Sequence, residues 1–264
     1  MKRVALVLLF TGIVSAQNAQ EKGKRIIDET LAALGGEKYL SMRDRIETGR
    51  AYSFYNDQLR GLSVATIYTR YLTRPEPPKA DFLGVRERQA FGKKEDSAIL
   101  FLEDGKGWQL TFRGARPVKA DLVARFRDTT QRNVFYILRQ RLGEPGLIFE
   151  SRGSDVWSNM PVDVVDITDS DNRVVTIYIL QSTKLPVRQV FYRRDPETKI
   201  RNEEVTLFSK YREVGGVQWP HVLQRERNGE KIFEMYADSV SVNQDLKDDL
   251  FSLPTTMKVL PPAR

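Results

Sequence analysis

The sequence contains no cysteine and a single histidine, His221. Without cysteine there are no disulfides, no thiolate metal ligands, no cysteine nucleophile and no sulfur for lipid attachment. With one histidine, an H-E-x-x-H zinc site and any His/Cys metal site are excluded as well. Neither a G-x-x-x-x-G-K-S/T loop nor a strand-linked G-x-G-x-x-G is present, so nucleotide binding has no support. Beyond the amino terminus, no apolar run approaches the ~20 residues that cross a bilayer as a helix. The expectation is a protein that is not an enzyme, with no catalytic residues, no metal and no cofactor.

What is present begins with a separate unit at residues 1–16. Met1-Lys2-Arg3 is a positive start, Val4–Val14 an apolar stretch too short to span a bilayer, and Val14-Ser15-Ala16 before Gln17 fits a small-residue cleavage site. That is the pattern of a secretory signal peptide. It predicts export of residues 17–264 as one domain, most simply into a bacterial periplasm, with no transmembrane segment in the mature chain. An exported chain without disulfides depends on an extended core. Composition permits one, with 41% hydrophobic, 10% aromatic and 29% charged residues.

Hydrophobic period organises the rest. Glu21–Leu34 reads as an amphipathic helix stopped by Gly35-Gly36. From Arg45 the period is two, and strands are expected at Arg45–Tyr55, Leu59–Tyr71, Val85–Phe91, Ala98–Leu102 and Lys106–Phe112. A proline cluster, Pro75-Glu76-Pro77-Pro78, marks a loop or a sheet edge. The pattern turns helical once, over Ala120–Leu142, with a break expected near Thr129-Thr130. Leu122, Val123, Phe126, Val134 and Ile137 share one face, and Arg125, Arg132 and Arg139 share the opposite, solvated one. Strands resume at Leu147–Ser151, Val162–Thr168, Val174–Leu180 and Val187–Arg194, then Glu203–Tyr211, Val217–Arg227 and Glu230–Val242. The last two are joined by Asn228-Gly229, the strongest hairpin signal in the chain. About a dozen strands and one long mid-chain helix predict a mainly β (α+β) fold. Its form is a strongly curved antiparallel sheet, an unclosed half-barrel with helices over its concave face.

Two clusters suggest chemistry and are better explained without it. Asp163, Asp166, Asp169 and Asp171 lack the glycine and final glutamate of a calcium loop, so the last two serve a turn. The arginine stripe, within a net charge of +7, carries Asp121 and Asp128 four residues before Arg125 and Arg132, the spacing of a solvated face; nucleic acid is not expected as a partner. His221 alternates with Trp219 and Leu223 along a strand, and reads as a packed histidine.

Four phrases together resemble the LolA-type periplasmic carriers of outer-membrane lipoproteins and their LolA-like relatives. They are Arg74-Pro75 after the second long strand, Leu102-Glu103-Asp104-Gly105-Lys106-Gly107-Trp108, the helix ending Phe135-Tyr136-Ile137-Leu138, and Leu246–Pro254 near the end. The resemblance implies a single half-barrel domain over residues 17–264 with an apolar cavity for the acyl chains of lipids or lipoproteins. It implies a monomer serving the sorting machinery of the inner and outer membranes, and Arg74 as the residue that holds a helical lid closed. Leu122, Phe126, Val134 and Ile137 from the helix, with Trp108 and Trp219 from the sheet, are the cavity candidates. The alternative is an envelope binding or assembly module of the same fold, holding another apolar ligand or a protein partner. A shallow or charge-lined cavity would favour it.

Overall fold

A computed structural model describes residues 2–75, 82–195 and 197–262, with side chains from Gln17 onward. The prolines at 77 and 78 lie outside the described residues. Thirteen strands form one antiparallel sheet: β1 (Asp44–Tyr55), β2 (Gln58–Tyr71), β3 (Val85–Phe91), β4 (Ser97–Phe101), β5 (Gly107–Thr111), β6 (Gly114–Pro117), β7 (Ile148–Trp157), β8 (Met160–Thr168), β9 (Val174–Leu180), β10 (Pro186–Arg194), β11 (Arg201–Val214), β12 (Val217–Arg227) and β13 (Glu230–Val242). Their order is β6-β5-β4-β3-β2-β1-β13-β12-β11-β10-β9-β8-β7, and the sheet does not close. The chain therefore enters at the centre, meanders out to β6, and restarts at the far edge with β7 before returning to pair β13 with β1. Residues 118–147 must pass from one edge to the other. This is the topological reason that the helical segment lies across the concave face.

That segment is broken. Helix α3 (Ala120–Gln131) is followed by a short α4 (Val134–Tyr136) and a π-helical turn, Ile137–Arg141. The break falls at Arg132-Asn133, later than the expected Thr129-Thr130, because Asn133 begins a new helix. Its Oδ1 accepts from the backbone N–H of Phe135 at 3.0 Å and of Tyr136 at 3.2 Å, satisfying two otherwise orphaned donors. Replacing Asn133 by Ala is expected to cost about 1 kcal/mol in urea denaturation.

Helix α1 (Lys2–Leu34) and the short α2 (Glu37–Leu40) pack against the β7–β12 half of the concave face. Ile26, Ile27, Leu34, Tyr39 and Met42 meet Val165, Ile167, Ile177, Ile179, Phe208 and Trp219 in the largest core cluster, which α4 completes with Val134, Phe135, Ile137 and Leu138. Each such side chain removed from water contributes about 1.5–3 kcal/mol. The other face of the sheet has its own cover. Residues 243–262 lay Leu253 and Met257 over Leu100, Leu110 and Trp108, and pair the outer edge of β6 through Ala115 N–H to Lys258 O at 2.9 Å and Leu260 N–H to Ala115 O at 2.7 Å. An otherwise open strand edge is thereby blunted.

Turn chemistry follows the sequence. Asn228 and Gly229 both have positive φ, 51° and 83°, as a two-residue hairpin requires. Gly49 serves a close approach instead. A Cβ there would stand 1.9 Å from Tyr236 O, beside the shift in register between β1 and β13.

Candidate ligand site on the concave face

Helix α3 covers the concave face without sealing it. None of its side chains is buried. Phe126 stacks on Phe101 of β4 with ring centroids 3.8 Å apart and planes within 4°, and Gly107 leaves room for Val123. The other attachments are polar. Arg125 Nη2 lies 3.2 Å from Glu204 Oε1, Arg132 Nη1 donates to Tyr192 O at 3.2 Å, and Asp128 takes Arg193 Nε at 2.9 Å. The arginine stripe is thus turned towards the sheet, against the expected solvated face. Arg132 sits over Phe191, and Arg139, beyond the break, donates to Met42 O and lies over Tyr71. For Arg125 and Arg132 the cause is that the sheet below offers carboxylates and carbonyls to meet guanidinium groups; for Arg139 the interruption at Asn133 also resets the helical phase. The expected i,i+4 pair between Asp128 and Arg132 does form, at 2.9 Å.

At the end of α3 nearest β4, Leu83, Phe101, Leu102, Val123 and Phe126 line a small hollow with about 10 Å³ of free volume, room for one water. Beyond it, register places an apolar floor of small residues on the same face. Ala65, Gly49 and Ala237 stand in one row of small residues; Ser63, Ala51, Met235 and Leu223 stand in the next, apolar except at its Ser63 end. Beside this floor lies a charged wall. Arg45 is buried, with its guanidinium 4.0 Å from the Trp219 ring centroid, and donates to Glu47 at 2.6 Å, Tyr71 Oη at 2.7 Å and Thr69 Oγ1 at 3.2 Å. Glu87 accepts from Gln89 Nε2 at 2.6 Å. Burial pushes its carboxyl above the ordinary range despite the nearby Arg45 and Arg225.

The cavity candidates separate. Val134, Ile137 and Trp219 meet in the main core, where Trp219 packs 4.8 Å from Phe135. Phe126 lines the hollow. Leu122 is 51% exposed on the outer side of α3. Trp108 stands opposite Leu100 on the other face of the sheet, under the carboxy-terminal segment, because Phe101 and Gly107 point towards α3. Arg74 reaches the end of the helical segment, with Nη2 3.3 Å from Glu144 Oε2. Glu144 is in turn gripped by Arg141, which also binds Asp169 at 2.9 Å.

His221 is buried, and its Nδ1–H donates to Trp219 O at 3.1 Å, a packing role. The aspartates are each taken up locally: Asp163 by Ser154 and Gln181, Asp166 by Thr176, and Asp169 by the backbone and side chain of Arg173. Among the described residues no group of carboxylate and imidazole side chains is arranged to hold a metal ion, and no helix is long and apolar enough to cross a membrane. The charged wall was not singled out in the sequence. Its signal was the period-two placement of Arg45 with Glu47, Glu87 with Gln89, and Arg225 with Arg227, which alternation alone cannot assign to a face.

These features define a class: an open antiparallel half-barrel whose concave face is crossed by a loosely attached helical cover. Solved structures share that fold. A domain assigned to outer-membrane lipoprotein sorting from Vibrio parahaemolyticus superposes with a TM-score of 0.56 at 13% identity, covering 88% of this chain and 97% of its own. A DUF1329 family protein from Desulfovibrio piger gives 0.57 at 12% identity, over 87% and 97%. A LolA superfamily protein from Nitrosomonas europaea gives 0.52 at 14%, over 84% and 97%. No family model and no curated protein sequence matches the chain. The fold is that of LolA-superfamily proteins.

Proposed function

We propose that the protein is an exported, non-enzymatic carrier. In this reading residues 1–16 are removed as a signal peptide and residues 17–264 act in the periplasm as one domain, monomeric, holding the acyl chains of a lipid or lipoprotein against the concave face. The observation that carries this is the attachment of α3. It has no buried residue; its attachments include one aromatic stack, ion pairs that are partly exposed, and polar hydrogen bonds from Arg132 to Tyr192 O and from Arg193 to Thr129 Oγ1. Exposed ion pairs contribute ~0–1 kcal/mol each, and the Arg125–Glu204 pair, with Arg125 44% exposed, is of that kind on one side. A cover held by such surface contacts can swing from the floor at a cost that burial of an acyl chain, at ~0.8 kcal/mol per methylene, offsets. The ion pair from Arg74 to Glu144 gives the cover a fixed point beyond α4. Transfer between inner- and outer-membrane sorting machinery follows from such reversible binding.

A second reading, an assembly module with a different ligand, is favoured by the charged wall of Arg45, Glu47 and Glu87 and by the small size of the hollow beside α3, about 10 Å³. Mass spectrometry of lipids extracted from protein purified out of the envelope, together with release of lipoproteins from inner-membrane vesicles, separates the two. Bound lipid or released lipoprotein supports the carrier. Repeated absence of both removes it.

A further inference from the structure

Under α3 the concave wall holds more guanidinium groups than carboxylates. Arg125, Arg227 and Arg193 lie 3.2, 3.2 and 3.9 Å from the same Oε1 of Glu204. Arg193 and Arg132 each stand 2.9 Å from Asp128. Beside the Glu204 cluster, on β12 and on the far side from Arg193, is Arg225, in register with Thr206 on β11 and Phe233 on β13, and on the same face as Arg227. Among the described residues no carboxylate lies within ion-pair distance of Arg225. Its Nε is buried without an acceptor, and its ring neighbour, Phe233, is 5.7 Å away. Burial holds its guanidinium below the ordinary range, with Glu87 and Glu204 working against the shift and Arg125 and Arg193 adding to it. Arg225 is half-buried, with its Nε closed off from water and without an acceptor, so an anion reaching its exposed guanidinium edge would complete the site.

We propose that Arg225, with Arg227 and Arg193 near it, binds an oxyanion, a phosphate or a carboxylate, on the ligand that enters the concavity. The proposal rests on the carrier reading and orients its cargo. Leu223, two residues before Arg225 on the same face, stands beside Met235 on the apolar floor. A chain laid over Ala51, Met235 and Leu223 brings its anionic head to Arg225, where planar N–H donors match an oxyanion. The ligand is then an anionic amphiphile, and an uncharged chain of equal length binds less well.

Calorimetric titration with three probes, each below its micelle concentration, tests this: dodecyl phosphate, dodecyl maltoside and inorganic phosphate. The wild-type protein is expected to bind dodecyl phosphate about tenfold more tightly than dodecyl maltoside, the gain of one charge-assisted contact. Arg225→Gln removes that preference and leaves the maltoside affinity unchanged. Equal affinities in the wild type, or a preference that survives Arg225→Gln, overturn the anion site while leaving the carrier reading intact. Inorganic phosphate binding with neither amphiphile bound supports the anion site, with a free anion as its ligand, and overturns the carrier. Binding of none of the three overturns both. If Arg225→Gln fails to fold, the wild-type preference and its reduction in Arg227→Gln decide.

Discussion

Asp169→Ala is expected to destabilise the protein by about 3–5 kcal/mol in urea denaturation. Asp169 and Arg141 are 5% and 3% exposed and joined at 2.9 Å. Arg141 also donates from Nη1 to Gln131 O at 2.7 Å and grips Glu144 through Nε and Nη2 at 2.7 and 2.8 Å. One guanidinium therefore ties the end of α3, the chain after the π-helical turn and the β8–β9 turn together. Removing Asp169 leaves that cation buried with only Glu144 opposite, which sets the loss towards the lower end of the range. The double variant Arg141→Met/Asp169→Leu is expected to recover only part of it, because Asp169 also accepts from the backbone N–H of Asp171 and Arg173.

The same carboxylates fix the acid limit of stability. Burial works to raise Asp169, but hydrogen bonds from Arg141 and Arg173 outweigh it and hold the carboxyl below its ordinary 3.8. The hydrogen bond from Arg141 holds Glu144 below its ordinary 4.5, against burial. Groups depressed on folding stabilise at every pH above the unfolded value and lose that contribution as pH falls through the folded one. Stability is expected to hold from pH 7 to about 5 and to fall steeply below about 4. Glu87, raised by burial, acts in the opposite sense. The comparison that isolates the Arg141–Asp169 pair is therefore wild type against Asp169→Ala, whose acid slope should be shallower.

Much of this architecture was written in local pattern. Strands β3, β12 and β13 begin and end at the residues where alternation begins and ends, and Asn228-Gly229 turns the chain as its φ preferences demand. Strand β6 is not legible in the sequence because Gly114-Ala115-Arg116-Pro117 is too short to show a period, and it gains its outer partner from residues more than a hundred positions away. The helix was read as one phase across a break that only the Asn133 cap explains. For the site, sequence could group Val134, Ile137 and Trp219 as apolar, and the structure does pack them together. It could not place Trp108, since the face of a strand is set by neighbours distant in the chain. The charged wall escaped for a related reason: Arg225 looks like any surface arginine until Thr206 and Phe233 flank it.

Phe135→Ala is expected to lower stability by about 3–5 kcal/mol while raising affinity for an uncharged amphiphile. Phe135 is buried, with ring centroids 4.9 Å from Phe208 and 4.8 Å from Trp219, and its carbonyl accepts from Tyr39 Oη at 2.6 Å. It is the side chain through which α4 plugs the sheet. Truncation leaves an apolar void beside Trp219, and voids of that kind stay dry and take apolar guests. In the carrier reading proposed above, it also weakens the closed arrangement that competes with cargo, so the population able to bind grows and apparent affinity rises with it. A merely damaged protein would lose stability and affinity together; opposite signs are the mark of a plug. Leu122→Ala supplies the contrast: with half its surface already in water, it is expected to change stability by no more than about 0.5 kcal/mol. Dodecyl maltoside titration and urea denaturation on the two variants give the comparison. Equal or weaker binding by Phe135→Ala, at the predicted loss of stability, would assign Phe135 to the core alone and leave the opening of the concavity to α3.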